Sequence, residues 1–520
     1  NVIFERDLAL RLELIANNDL VIFTDAATDP YTGNLASDWM NQNTDVLNTT
    51  AGIGVNAYDI GHIYGVYIQG TAVGVARRGG VCDPENKSKG SSSERQPVGA
   101  RFNLVAAHEM CHQFSGSHTW NNCTDDILGQ RESSTAFEPG SGSTIMGYPG
   151  ACLTNDIGSS NDDYFHTASI EQVRVFTTTG SGRLCGTEQV LTNNPPDVTF
   201  LHPNGFFIPR STPFSLRATA TDTDGDTNLT YCWEQYDLGD TIDLGKQKNG
   251  NQPLFRSFDP VATGIRHFPQ RTNVYNTLGV NFPRVSAELL PDRARDLSFR
   301  CTVRDNRPGG GGVTYNLLKF KVADNSGPFL ITEPVSGTIW QVGSYQDIKW
   351  NVANTDKAPV NCKSVNIWLS VSGPNGFNIK LADNVPNSGK ACVRVPANIS
   401  PAARVLVEAA DNVFYDISPG NINIQQPTQP GFDICVGLGA DQVCLPQSYK
   451  VAVTSGSLLN FSGPITLSAS GLPAGASATF SKTTIAPGET AEATLVFPAN
   501  TPEGTYEIKI TGTSGTTIAE

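Results

Sequence analysis

The sequence predicts a multidomain fold: an α/β domain at the N-terminal end, then three all-β sandwich modules. Three observations carry this. Helical and strand-like spacings interleave over residues 1–192. Beyond them the chain turns to short alternating apolar and polar runs between clusters of Gly, Pro, Asn and Ser. Two breaks punctuate it, Asn193-Asn194-Pro195-Pro196 and Gln425-Gln426-Pro427-Thr428-Gln429-Pro430. The expected division is 1–192, 193–325, 326–425 and 426–520.

Composition agrees. A chain of 520 residues suits three to five domains of about 150 residues each. With 39% hydrophobic and 17% charged residues it is globular and not disordered. Its 50 glycines and 32 prolines favour short strands and turns. A net charge of −14 disfavours nucleic acid and anionic membranes as partners. No apolar run approaches the ~18 residues of a membrane span. Asn1 is not a start methionine and no signal peptide is present, so the chain reads as a mature form without targeting or inhibitory segments. A monomer is expected.

Taken in order, Phe4 to Ile15 begins with helical spacing and then alternates, Leu10, Leu12 and Leu14 against Arg11 and Glu13. This predicts a helix running into a strand that ends near Phe23. Ala36 to Gly52 holds an amphipathic helix around Trp39. Asp59 to Gly70 and Thr71 to Val81 read as strands joined by a glycine-rich bend. Asn86 to Pro97, polar and rich in Ser and Lys, reads as a surface loop. A helix over about Asn103 to Phe114 follows, then a turn-rich segment from Asn121 to Gly142. The last helix covers Ala168 to Phe176, with Asp162 and Asp163 near its positive end.

In the β-modules, Phe214 to Ala218 and Leu318 to Val322 alternate, and Tyr231-Cys232-Trp233 reads as a core strand. Trp340, Trp350 and Trp368 are expected core aromatics of the next module. Ile465 to Ser468 and Glu507 to Ile510 alternate in the last. Asp222-Thr223-Asp224-Gly225-Asp226 places carboxylates at alternate positions around a glycine, as a calcium loop does, but lacks the closing glutamate of an EF-hand. A calcium turn on Asp222, Asp224 and Asp226 stands beside the blander reading of an Asp-Gly turn that binds nothing.

There are 11 cysteines. Beyond residue 190 they fall in local couples, Cys232 with Cys301, Cys362 with Cys392 and Cys435 with Cys444, a pattern that suits disulfides in an oxidising, extracellular compartment. Among Cys82, Cys111, Cys123, Cys152 and Cys185, Cys111 is the expected unpaired thiol. It lies about 80° round its helix from the midpoint of two histidines described next. Sequons stand at Asn48, Asn86, Asn122, Asn228, Asn398 and Asn460.

The chemistry concentrates in Val105-Ala106-Ala107-His108-Glu109-Met110-Cys111-His112-Gln113-Phe114-Ser115-Gly116-Ser117-His118. On a helix, His108 and His112 project from one face a turn apart, a spacing at which two imidazoles share a zinc ion. Glu109 can take a proton from a water that the metal activates. His118 completes three protein ligands and leaves one position open. That needs a turn after Phe114, with Gly116 the candidate for a positive φ.

This stretch resembles the extended zinc signature of the metzincin metallopeptidases, and Ser143-Thr144-Ile145-Met146-Gly147-Tyr148 resembles their methionine turn. The runs around His112 to Trp120 and Tyr164 to Ile170 are most similar to the reprolysin (adamalysin-like) branch, and within it to secreted bacterial members with immunoglobulin-like domains behind the protease. Ser115 stands where the family has glycine, and Cys111 where the branch usually does. The resemblance implies a metzincin-type catalytic domain, a mixed twisted sheet plus the zinc helix, with Met146 as the floor of the site. It implies that the edge strand Gly74-Val75-Ala76 binds substrate main chain. Tyr148 has the spacing of a tyrosine that stabilises the transition state in other branches; a packed tyrosine is the competing reading.

The function so implied is a secreted zinc endopeptidase acting on proteins or peptides, with one catalytic zinc and Glu109 as general base. Two alternatives stay open: a degenerate adhesion or matrix-binding protein, and a zinc amidase acting on a non-protein amide.

Overall fold

The computed structural model describes residues 1–66, 73–94, 98–271, 287–437 and 443–519. The chain divides into two compact units: 1–206 with 215–269 and 279–322, and 207–214 with 270–278 and 323–520. The α/β part and most of the first β-module thus fall together in the first unit. Among the described residues no helix is long and apolar enough to cross a membrane.

The α/β part has helices α1 (Val2–Leu8), α2 (Ala36–Asp45), α3 (Ala100–Gln113), α4 (Asp125–Leu128) and α5 (Thr167–Thr178). Its sheet has β1 (Ile63–Val66), β2 (Gly74–Ala76) and β3 (Gly90–Glu94) in the order β1-β3-β2. β1 runs parallel to β3 and β2 antiparallel to it. The bend expected between the first two strands, at 67–72, lies outside the described residues, as do 95–97.

Two expectations are corrected. The polar run after Asn86 is not a surface loop: β3 is the central strand, and Gly90 to Ser93 are buried. Small side chains are required because a Cβ on Gly90 would lie 2.3 Å from Gln113 Oε1. The Leu10 to Leu14 alternation forms no strand. Leu10 and Leu12 pack on the core while Leu14 is exposed, and a single 3-10 turn, Asn18–Val21, follows.

α3 owes its position to the apolar stripe Leu104, Ala107, Cys111 and Phe114, at helical spacing. The stripe packs on Phe4, Ile145, Met146, Phe165 and Ile170. Disulfides Cys82–Cys185 and Cys123–Cys152 close this part. Cys111 is the unpaired, fully buried thiol, as expected.

The first β-module packs two sheets. One contains Asp197–Phe200, Phe214–Thr221 and Ile265–Phe268; the other contains Thr230–Gln235, Arg295–Arg304 and Val313–Ala323. Trp233 stacks on Phe200 across them at 5.2 Å. Cys232 and Cys301 are both free. The register explains why: Cys232 opposes Thr302 and Trp233 opposes Cys301, so the two thiols leave opposite faces of the sheet.

The outer face of that second sheet is polar and buried against the α/β part. Arg304 bonds Asp7 of α1 at 2.8 Å, with side-chain exposures of 1% and 0%. Arg300 lies between the rings of Tyr236 and Tyr315, 3.6 and 3.9 Å from their centroids. Glu171 of α5 accepts from Arg300, Tyr236 and Tyr315, each at 2.8 Å. Glu234 accepts the Thr167 N–H at 3.0 Å, so a module carboxylate sits at the positive end of α5.

The second unit holds two further sandwiches. In the first, Leu330–Glu333, Tyr345–Asn351 and Lys390–Arg394 form one sheet, and the other centres on Ser364–Ser370 and Ser400–Ala409. Trp340 and Trp350 are buried in it. In the last module Gln447–Ser455 and Thr490–Phe497 pair in one sheet, and Ile465–Ser470 and Lys509–Ser514 in the other. The couples expected here are corrected. Cys392 bonds Cys435, joining strands Lys390–Arg394 and Ile434–Val436, while Cys362 and Cys444 are free. A strand of the last module, not the cysteine nearer in sequence, brings the partner of Cys392.

Candidate metal centre

α3 carries His108 and His112, and the chain then turns back to bring His118 beside them. The turn meets two separate demands at adjacent residues. Ser115, not Gly116, takes the left-handed conformation, with φ 74°. Gly116 is required for close approach, since a Cβ there would lie 2.3 Å from Cys111 Sγ. The helix end is satisfied by backbone: Gly79 N–H donates to His112 O at 2.8 Å and Val81 N–H to Gln113 O at 3.2 Å.

Each of the three imidazoles is held through Nδ1 by a main-chain carbonyl. His108 reaches Ile145 O at 2.6 Å, His112 reaches Gly116 O at 2.8 Å and His118 reaches Gln130 O at 2.7 Å. A carbonyl only accepts, so each Nδ1 carries the proton and each Nε2 presents a lone pair. The three ligand atoms lie within 4.8 Å of one another. His112 Nε2 and His118 Nε2 stand 3.1 Å apart. Two lone pairs at that distance repel unless a cation lies between them. Tetrahedral zinc with bonds of about 2.0–2.1 Å places its ligand nitrogens about 3.3–3.4 Å apart. Burial lowers the basicity of all three rings, to about 3 for His112, so the neutral form is available for ligation. The donor set therefore fits zinc.

Glu109 is buried beside this cluster, and burial pushes its carboxyl up to about 8. A cation at the imidazoles acts in the opposite sense and favours the carboxylate. Strand β2 passes directly over it: a Cβ on Gly74 would lie 2.5 Å from Glu109 Oε1. Gly74, Val75 and Ala76 therefore form a strand against the site, with β3 on one side. Met146 is fully buried in the core cluster that packs on α3. Tyr148 stands with its ring centroid 4.6 Å from that of His118 and donates its hydroxyl to Gln130 Oε1 at 2.8 Å. Its hydroxyl is made a weaker acid by burial and by Glu109.

Sequence reasoning missed two residues. Glu138, 1% exposed, accepts the N–H groups of Ser143 and Thr144 and the hydroxyls of Thr119 and Thr144, at 2.5–3.1 Å. One carboxylate so ties the residue after His118 to the methionine turn. Gln130 serves both His118 and Tyr148. Neither carries a periodic or spacing signal; each is a lone polar residue in a turn-rich segment.

The acidic loop of the first β-module is not assembled on the three residues its spacing suggested. Asp222 and Asp226 converge with Asp305, while Asp224 accepts from Asn194 at 2.5 and 2.9 Å.

One comparison bears on this region. Residues 1–174 match the family described as Metallo-peptidase family M12B Reprolysin-like. No curated protein matches the chain. Similar solved structures include the chicken CNTN1 FN1–FN3 domains, at 12% identity over 63% of this chain and 96% of that one, with a TM-score of 0.15. The fibronectin(III)-like modules of Clostridium thermocellum CbhA match at 10% identity over 44% and 95%, with a TM-score of 0.15. The four N-terminal Ig domains of Dscam1 match at 9% over 64% and 72%, with a TM-score of 0.16. Residues 1–174 thus match a reprolysin-like metallopeptidase domain of family M12B, in a chain that continues into β-sandwich modules.

Proposed function

We propose that this chain is a secreted zinc endopeptidase, with His108, His112 and His118 as metal ligands and Glu109 as general base. The observation that carries the reading is the convergence of three Nε2 lone pairs, each fixed by a carbonyl behind it. Zinc supplies a Lewis acid that polarises the scissile carbonyl and makes water a nucleophile near neutral pH. Glu109 takes the proton of the attacking water on its carboxylate and delivers it to the leaving nitrogen. Gly74 to Ala76 pair with the extended substrate backbone, which holds the scissile bond over Glu109. Met146 supports the three ligands from below, and Tyr148 faces the developing oxyanion once its hydroxyl leaves Gln130.

Secretion belongs to the same proposal and is supported by the disulfides Cys82–Cys185 and Cys123–Cys152, which form in oxidising compartments. So do the boundaries 1–192, 193–325, 326–425 and 426–520, as divisions of sequence. The test is Glu109→Gln. The variant is expected to retain one zinc per chain and to lose casein cleavage. Cleavage at the wild-type rate would overturn the mechanism. Zinc uptake by the wild type with no cleavage of any protein, but release of a small amide, would favour the amidase.

A further inference from the structure

We infer that the first β-module supplies part of the metal site: its loop over 236–254 holds Arg131, and through Arg131 the carbonyl that orients His118. The inference rests on the zinc reading above.

His118 is the one ligand that no helix carries, so its ring direction depends on what Nδ1 meets. It meets Gln130 O, just beyond α4. The next residue, Arg131, spans two parts of the unit. Its Nε donates to Asn121 O at 2.9 Å and its Nη2 to Gly239 O, in the β-module, at 2.7 Å. The module loop continues along the same wall. Asp240 O accepts from Asn121 Nδ2 at 3.3 Å, and Ile242 N–H donates to Asn121 Oδ1 at 3.1 Å. Asp243 Oδ1 accepts from Asn122 Nδ2 at 3.0 Å, and Leu244 N–H donates to Asn155 Oδ1 at 3.1 Å. Asn121 is fully buried, and its Oδ1 bond to the Ile242 N–H, like the Leu244 bond to Asn155, is made out of water, where an unmade bond is expensive.

What marks this as more than adhesion is where the bonds land. Asn121 and Arg131 stand on either side of the loop whose carbonyl meets His118. Gln130 also accepts the Tyr148 hydroxyl, so one residue, next to the anchored Arg131, meets both groups. Arg131 acts through Gln130 and is a positioning residue.

The experiment uses the full chain loaded with zinc. Zinc release to a chromogenic chelator is timed for wild type, Arg131→Ala, Arg131→Lys and Gly239→Ala. The melting temperature of each metal-free protein is recorded beside it. Gly239→Ala acts from the module side, since its new Cβ would lie 2.5 Å from Gln252 N and must push the loop away. Partners that orient a ligand histidine are worth about 10–100-fold in metal affinity. We expect Arg131→Ala and Gly239→Ala to release zinc about 10-fold faster. Arg131→Lys keeps one donor and should fall between them and wild type. Unchanged release in Arg131→Ala and Gly239→Ala would overturn the inference while leaving the zinc site intact, even if melting temperatures fell. A wild-type chain that takes up no zinc would overturn the zinc reading, and the inference with it.

Discussion

Replacing Asp7 by Asn should destabilise the whole first unit, although Asp7 lies on a short helix at the start of the chain. Its carboxylate accepts from Arg304 and from Arg6 at 2.8 Å and from the Phe165 N–H at 2.9 Å. Burial alone would raise its pKa. The charges of Arg304 and Arg6 outweigh that and hold it below the usual carboxylate range. Asn keeps an acceptor for Phe165 but leaves the Arg304 guanidinium buried without its counter-charge. Breaking a buried pair from one side costs about 3–5 kcal/mol. The unit has roughly 300 residues. At about 2.1 cal/mol/K per residue, that cost lowers the melting temperature by about 5–8 °C. Because the folded-state pKa is depressed, the contribution is complete above the unfolded value of about 3.9 and fades as pH falls through the folded one. The assay is thermal unfolding of Asp7→Asn, Arg304→Met and the double variant near pH 7. The double variant should lie within about 2 kcal/mol of wild type, since it leaves no lone charge. If the losses of the single variants simply add in the double, the pair is not coupled and the reasoning fails.

Other outcomes follow from the same structure. Gly74→Ala drives a methyl into Glu109 and should lower kcat/KM about 100-fold with zinc content unchanged; full activity would mean β2 does not pass so close. Ser115→Gly relieves a left-handed serine and should stabilise by about 1 kcal/mol, read as a higher urea midpoint with activity kept. Asp416, buried in the second unit, has its carboxyl pushed up to about 7 by burial. The folded state therefore holds a proton that the unfolded chain has lost, and stability declines as pH rises from about 4 to 7. Asp416→Asn should abolish that slope and gain about 2–4 kcal/mol at neutral pH, measured by urea unfolding of the isolated second-unit transition; an unchanged pH slope would show that Asp416 is not the titrating group.

The candidate metal ligands were legible because their spacing is itself geometry: one turn of helix and one short return bring His108, His112 and His118 together before any packing is known. Cys111 was legible for the same reason, by its angle round α3. The supporting shell was not. Glu138, Gln130 and Arg131 act through contacts closed by the tertiary fold, and no period marks them. β3 was hidden because its burial is achieved with Gly and Ser, whose smallness lets the sheet press against Gln113; hydrophobic patterning is blind to such a strand. The module face was hidden for the opposite reason. Arg300, Arg304 and Glu234 alternate as charges on a solvent side would, yet they meet Glu171, Asp7 and Thr167. The disulfide Cys392–Cys435 shows that nearness in sequence is a poor guide to pairing once strands of two neighbouring modules come side by side.

The polar face between the peptidase domain and the first β-module changes what a cut in the chain can accomplish. Asn193 and Asn194, which look like a spacer, are themselves tied down: Asn193 to Asp305 and Gly310, Asn194 to Asp224. A protease that severed this segment would not set the catalytic part free. The two fragments should travel together in native gel filtration and part only in denaturant, so that the molecule behaves as one enzyme made of two pieces of chain.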